Sequence, residues 1–120
     1  MQAQQHVDKA LRIERSMAKL APGDHEMRIE AAMLAGTHWL NAALHRAGVL
    51  ADERDVVHTY MLTINEFRRL QVARPELMQA LARIEDARTL HVRGDAPGAQ
   101  PVADCTGELL ARLREGAMRG

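Results

Sequence analysis

Residues 29–50 read IEAAMLAGTHWLNAALHRAGVL, a pattern that predicts one long helix. Small and apolar residues occupy nearly every side of the helix that it predicts, which indicates a helix buried on more than one side, at the centre of a small bundle. Gly36 lies in mid-helix, where it costs about 1 kcal/mol relative to Ala, so we expect a neighbouring helix to approach closely there. One stripe of this helix lacks Lys and Glu; its residues are Leu34, His38, Asn41 and His45.

The stripe has two interpretations. It is either a self-association surface, which a two-fold axis would place against its own copy, or a half-polar surface lying under another helix or a loop. A metal site is not favoured, because His38 and His45 are seven residues apart and hence roughly 10 Å apart along the axis. Two ligands on one helix usually have a spacing of three or four. We therefore predict no metal and no cofactor.

The composition indicates a helical protein. The chain is 47% hydrophobic but only 2% aromatic, and Ala, Leu and Met dominate. These residues favour helices, whereas the aromatic and β-branched residues typical of strands are scarce. We predict an all-α, up-and-down four-helix bundle with an additional C-terminal helix, in a single domain covering residues 1–120.

Proline, glycine and capping residues predict where the helices begin and end. The core bundle is expected at about residues 4–93, followed by a connector at 94–101 with the sequence GDAPGAQP, and a C-terminal helix at about 102–117. Asp52 and Asp55 have a capping-box-like spacing and predict the start of the third helix. Pro75 suits the first position of the fourth helix.

The charge and the cysteine content of the chain bear on which partners it binds and where it is located. The formal net charge is zero, so no global basic field attracts nucleic acid or an anionic membrane. Cys105 is the single cysteine, which excludes an internal disulfide and fits a reducing compartment. The first residues lack the long apolar run of a signal peptide, and no segment approaches a membrane span. We expect a cytoplasmic protein without a membrane partner.

Residues 31–44, AAMLAGTHWLNAAL, resemble the second helix of HEPN (higher-eukaryote-and-prokaryote nucleotide-binding) domains. The segment from Asp55 to His58 is similar to the opening of that family's next helix, and the likeness extends over residues 7–93. The resemblance implies a bundle of four or five helices and a homodimer. It also implies RNA, a nucleotide or a protein encoded nearby as a partner.

Where HEPN domains cleave RNA, the resemblance implies an Arg and a His at a short fixed spacing across a dimer cleft. This chain has no Arg followed by a His at that spacing, and we take Arg88 and His91 as the candidate catalytic pair in the absence of a better one. We therefore predict a non-catalytic binding or regulatory module that forms homodimers. The alternatives are a ribonuclease-like enzyme of the same family and a metal-dependent helical-bundle enzyme.

Overall fold

The computed structural model describes residues 1–119 and is all-helical over that range, which confirms the predicted fold class. Its α-helices are α1 (Ala3–Met17), α2 (His25–Arg46), α3 (Ile64–Ala73), α4 (Pro75–Arg88) and α5 (Ala99–Arg119). A 3-10 turn at Thr59–Met61 precedes α3, and a π-turn at Thr89–Arg93 extends α4. None of the helices in the described part of the chain combines the length and apolar character needed to cross a membrane.

The central helix of the bundle is α2, which packs against α1, α4 and α5. Its buried residues lie on nearly every side and include Ile29, Trp39 and Leu44, as the sequence predicts. A Cβ atom on Gly36 would lie 3.1 Å from Leu113 Cδ1 on α5 and 3.5 Å from Leu81 Cδ1 on α4. The expected close approach at Gly36 is therefore confirmed. The C-terminal helix forms one of the two most extensive interfaces with α2.

The start of the third helix differs from the prediction. Residues 51–63 form a loop with one 3-10 turn, and α3 begins only at Ile64. Its capping box is Thr63 with Glu66, where each side chain bonds the other residue's backbone N–H. Asp55 does not cap a helix because its carboxylate accepts hydrogen bonds from two histidines instead.

The later boundaries are close to prediction. Pro75 is the first residue of α4, as expected. The connector is shorter than predicted, residues 94–98, because α5 already begins at Ala99. Pro101 is tolerated there, since the first turn of a helix has no intrahelical acceptor for its N–H groups.

Candidate functional site

The loop between α2 and α3 is fixed to the bundle by buried polar side chains. We call residues 51–63 the anchored loop. Three sets of contacts hold it: a histidine cluster beneath Asp55, an amide clamp at Val56 and a buried carboxylate beneath Thr59. They come from α1, α2 and α4, so the loop joins three helices of the bundle.

The histidine cluster consists of His6 on α1, His38 and His45 on α2, and Asp55 on the loop. Asp55 Oδ1 accepts hydrogen bonds from His6 Nε2 at 2.9 Å and from His45 Nε2 at 2.8 Å. On the other side of the His6 ring, its Nδ1 lies 2.9 Å from His38 Nδ1. The cluster is therefore a continuous chain of ring nitrogens and one carboxylate running from α2 through α1 to the loop.

His45 is oriented from both sides. Its Nδ1 donates a hydrogen bond to the carbonyl oxygen of Leu50 at 2.9 Å, and its side chain is fully buried. Asp55 retains 32% side-chain exposure, and the amino group of Met1 lies 3.3 Å from its Oδ2. The cluster is thus buried on its histidine side and reaches solvent on its carboxylate side.

The pKa values of Asp55, His6 and His38 are all shifted in the folded protein. Burial lowers the pKa of His38 to about 4, and the charges of His6 and Lys9 act in the same direction. Burial also lowers the pKa of His6, against the opposing effect of its hydrogen bond to Asp55. For Asp55, burial acts to raise the pKa, but hydrogen bonds from His6 and His45 help to bring it below its ordinary value. At neutral pH, Asp55 is ionised while His6 and His38 are neutral.

Asn41 clamps the loop backbone at Val56. Its Nδ2 donates to the Val56 carbonyl oxygen at 2.8 Å, and its Oδ1 accepts from the Val56 N–H at 2.7 Å. The same Nδ2 donates to the Thr37 carbonyl oxygen within α2. Asn41 is 1% exposed. One amide side chain therefore satisfies both backbone groups of a buried residue that has no helical or sheet partner.

Glu85 on α4 holds the far end of the loop. Its buried carboxylate accepts from the Thr59 N–H at 2.9 Å, from the Thr59 hydroxyl and from His58 Nδ1 at 3.1 Å. The His58 ring stacks on Tyr60, with centroids 4.7 Å apart. These hydrogen bonds satisfy a charge that would be costly to bury alone.

Residues 52–54 of the anchored loop are exposed and charged, whereas the exposed side chains from residue 57 onward are largely apolar. Four large side chains project from the loop and from the first residue of α3: Val57, Tyr60, Met61 and Ile64, with exposures of 59%, 60%, 66% and 70%. We call these four residues the ridge. Beside it lies a cleft of about 390 Å³ between the ridge, α3 and α4, to which Tyr60, Phe67 and Arg68 contribute. Asp86 lies at its other rim.

The residues of the predicted stripe on α2 do not all fit the same interpretation. Asn41 and His45 are buried beneath the chain's own loop, and His38 is bonded to His6, as a half-polar surface under a loop requires. Leu34 is 45% exposed and is free to contact another molecule. Self-association through the stripe stays a prediction.

Arg88 and His91, the candidate catalytic pair, each form a hydrogen bond with a different structural partner. Arg88 Nε donates to Glu30 Oε2 at 2.6 Å, in a partly buried ion pair between α4 and α2. His91 is buried, and its Nδ1 donates to the Ala96 carbonyl oxygen at 3.0 Å. Each side chain therefore has its own structural partner.

The sequence does not predict that His6, Asp55 and Glu85 are hydrogen-bond partners of the other histidines. These residues come from three separate segments, so they share no spacing along one helix. A signal existed for His6, because it lies one turn before Ala10 on the face of α1 that is buried. Nothing in the local sequence marks Glu85, whose partners lie 26 and 27 positions earlier.

No family model, curated protein or solved structure matches this chain. The resemblance to HEPN domains therefore stays a prediction. The site's own donor atoms indicate what it can hold: ligand atoms of His6, His45 and Asp55 all lie within 4.8 Å of one another. Two imidazoles and a carboxylate at that separation can take either a shared proton or a metal ion.

Proposed function

We propose that this chain is a non-catalytic binding module that forms homodimers through the ridge. One observation carries the proposal: four large side chains are exposed on the anchored loop and on the first residue of α3, while buried polar contacts fix the inward side of that loop. Exposed apolar patches on a folded protein mark interaction sites.

The anchoring supports a binding role because it prepares the loop in one conformation. Fixing the backbone of a flexible loop upon association costs about 1–2 kcal/mol of conformational entropy for each residue. Here the backbone at Val56 and Thr59 is already held by Asn41 and Glu85. The ridge therefore meets a partner with part of that entropy already lost in folding.

A second copy is the partner that the patch fits best. The ridge supplies projecting side chains such as Met61, and the adjoining cleft supplies an apolar recess lined by Leu62 and Phe67. A two-fold axis places the same patch on both subunits, so the patch must be complementary to itself. Its rim has this property, since it carries a cation, Arg68, and an anion, Asp86, both exposed.

The HEPN resemblance, a homodimer and a cytoplasmic location belong to the same proposal. The enzymatic alternative implied by that resemblance is a ribonuclease that uses Arg88 and His91. Arg88 is already paired with Glu30, which leaves its guanidinium less available to a phosphate. RNA cleavage by the purified protein that Arg88→Ala abolishes without unfolding would replace the module by this alternative.

Analytical ultracentrifugation of three variants tests the dimer. We expect a wild-type dimer at micromolar concentrations and a monomer for Ile64→Glu, which places a charge on the most exposed residue of the ridge. Glu is well tolerated at the first position of a helix, so folding should be preserved. Val72→Glu is the matched control, because Val72 is also exposed on α3 but lies outside the ridge.

Leu34→Glu distinguishes the ridge from the α2 stripe. If Leu34→Glu produces a monomer and Ile64→Glu remains dimeric, self-association uses the stripe and the ridge proposal is wrong. A wild-type protein that stays monomeric throughout the micromolar range contradicts both surfaces.

A further inference from the structure

We infer that His6, His45 and Asp55 form a binding site for one divalent transition-metal ion of the zinc class. The three ligands come from α1, α2 and the anchored loop, and their donor atoms lie within 4.8 Å of one another. Both histidines direct Nε2 at the same carboxylate oxygen. The three side chains therefore converge on one point, as the ligands of a single metal ion do.

The hydrogen-bond geometry of His45 identifies the position that a cation must fill. Its Nδ1 faces the Leu50 carbonyl oxygen, which only accepts, so Nδ1 carries a hydrogen. Its Nε2 lies 2.8 Å from the ionised Asp55 carboxylate, which also only accepts. In a neutral ring Nε2 would then turn a lone pair toward an anion. Either a second proton or a metal ion has to lie between them.

Two further contacts orient the ligands as metal sites require. Metal-binding histidines almost always donate their other ring N–H to a carbonyl, carboxylate or water. The Leu50 carbonyl has this role for His45. For His6 the partner is His38 Nδ1, which can accept from His6 Nδ1 when His38 is neutral and carries its hydrogen on Nε2.

The ligand set selects the class of metal. Imidazole nitrogens favour zinc and its neighbours in the first transition series, whereas Ca²⁺ and Mg²⁺ prefer sites composed of oxygen ligands. Three protein ligands leave a fourth tetrahedral position. That position lies on the solvent side, because Asp55 is 32% exposed while the His45 side chain is fully buried.

Metal binding requires that the coordinating nitrogens carry no hydrogen. His45 coordinates through Nε2 while its Nδ1 continues to donate to the Leu50 carbonyl oxygen. His6 coordinates through Nε2 while its Nδ1 hydrogen is donated to His38 Nδ1. Any hydrogen that either Nε2 carries in the metal-free protein passes to the solvent.

Isothermal titration of the metal-free protein, residues 1–120, with Zn²⁺ tests the site. We expect one Zn²⁺ per chain, bound with the same stoichiometry when the titration is repeated in a second buffer. The ¹⁵N chemical shifts of His6 and His45 should show loss of the Nε2 hydrogen in both rings. This spectroscopic result does not depend on any variant folding correctly.

Two variants separate a ligand from an orienting residue. Asp55→Asn preserves the side-chain shape and should weaken Zn²⁺ binding by more than about 100-fold, beyond the range known for orienting residues. His38→Gln should weaken it by about 10- to 100-fold while the stoichiometry stays at one. His25→Gln is the matched control, since it removes an imidazole from α2 outside the cluster.

Wild-type affinity in Asp55→Asn, or lost binding in His25→Gln, places the metal elsewhere and overturns the site. So does a wild-type protein that binds no Zn²⁺ and retains the Nε2 hydrogen on His45, because the cluster then holds a proton only. The outcome is independent of dimerisation, and the monomeric Ile64→Glu variant should bind Zn²⁺ as tightly as the wild type.

Discussion

Asp55 is the residue at which the loop and two helices meet. The sequence predicts it as a helix cap, because a carboxylate three residues after Asp52 resembles a capping pattern. The fold uses the same chemistry differently, with imidazole N–H donors from His6 and His45 in place of the backbone N–H groups of a helix. A carboxylate thus satisfies donors 49 and 10 positions away, which no local pattern can predict.

The histidine cluster makes the stability of the metal-free protein depend on pH. The pKa of His38 is 6.5 in its ordinary state and about 4 in the fold. Between these values the unfolded chain binds a proton that the folded chain does not, so stability falls as the pH falls. His6, whose pKa is also lowered, acts in the same sense. The lowered pKa of Asp55 adds stability to the folded protein, and this contribution is lost only when the pH falls below the ordinary value of 3.8.

We expect the free energy of unfolding to fall by about 1–2 kcal/mol between pH 7 and pH 4.5 from His38, whose ring is partly solvated. Urea unfolding with a chelator present measures it. The charges near His38 are His6, Lys9 and Arg12 on α1 and Asp55 on the loop. His38→Gln should lose less stability than the wild type, and His25→Gln should lose the same amount. An equal loss in all three proteins contradicts this assignment.

Among the helices, the apolar periodicity and the residues that begin and end a helix predict most of the fold. The bounds of α2 and the start of α4 follow from local signals, namely the apolar pattern around Ile29 and the Pro at position 75. The anchored loop could not be predicted, because its backbone is satisfied by Asn41 and Glu85 from distant helices. Val57 and Met61 have helical spacing, yet both are exposed.

Two glycines of α5 provide a matched test of helix packing. A Cβ atom on Gly116 would lie 2.7 Å from Leu77 Cδ2 on α4, whereas one on Gly107 would meet nothing within 4 Å. Gly107→Ala should stabilise the protein by about 0.5–1 kcal/mol through helix propensity. Gly116→Ala should destabilise it by about 1 kcal/mol, because the buried Leu77 has to move. Thermal and urea unfolding measure both effects, and equal stabilisation would show that α4 and α5 are not this close.

At the scale of the whole molecule, the metal site and the ridge act on opposite sides of the same loop. Zn²⁺ at 100 times its dissociation constant should raise the free energy of unfolding by about 2.7 kcal/mol, since only the folded chain brings the three ligands together. We expect this increase in the wild type and in Ile64→Glu, but not in Asp55→Asn. Scanning calorimetry with and without Zn²⁺ measures it. An increase confined to dimeric proteins would mean that the ion bridges two chains.

The anchored loop has buried polar contacts on its inward side and exposed apolar side chains such as Met61 on its outward side. This arrangement has a consequence for how the sequence can evolve. The residues that hold the loop, such as Asn41 and Glu85, are separate from those that face outward, such as Tyr60 and Met61. New side chains at the outward positions can therefore alter partner choice with little effect on folding. The bundle is suited to serve as a scaffold on which different recognition sequences are exchanged.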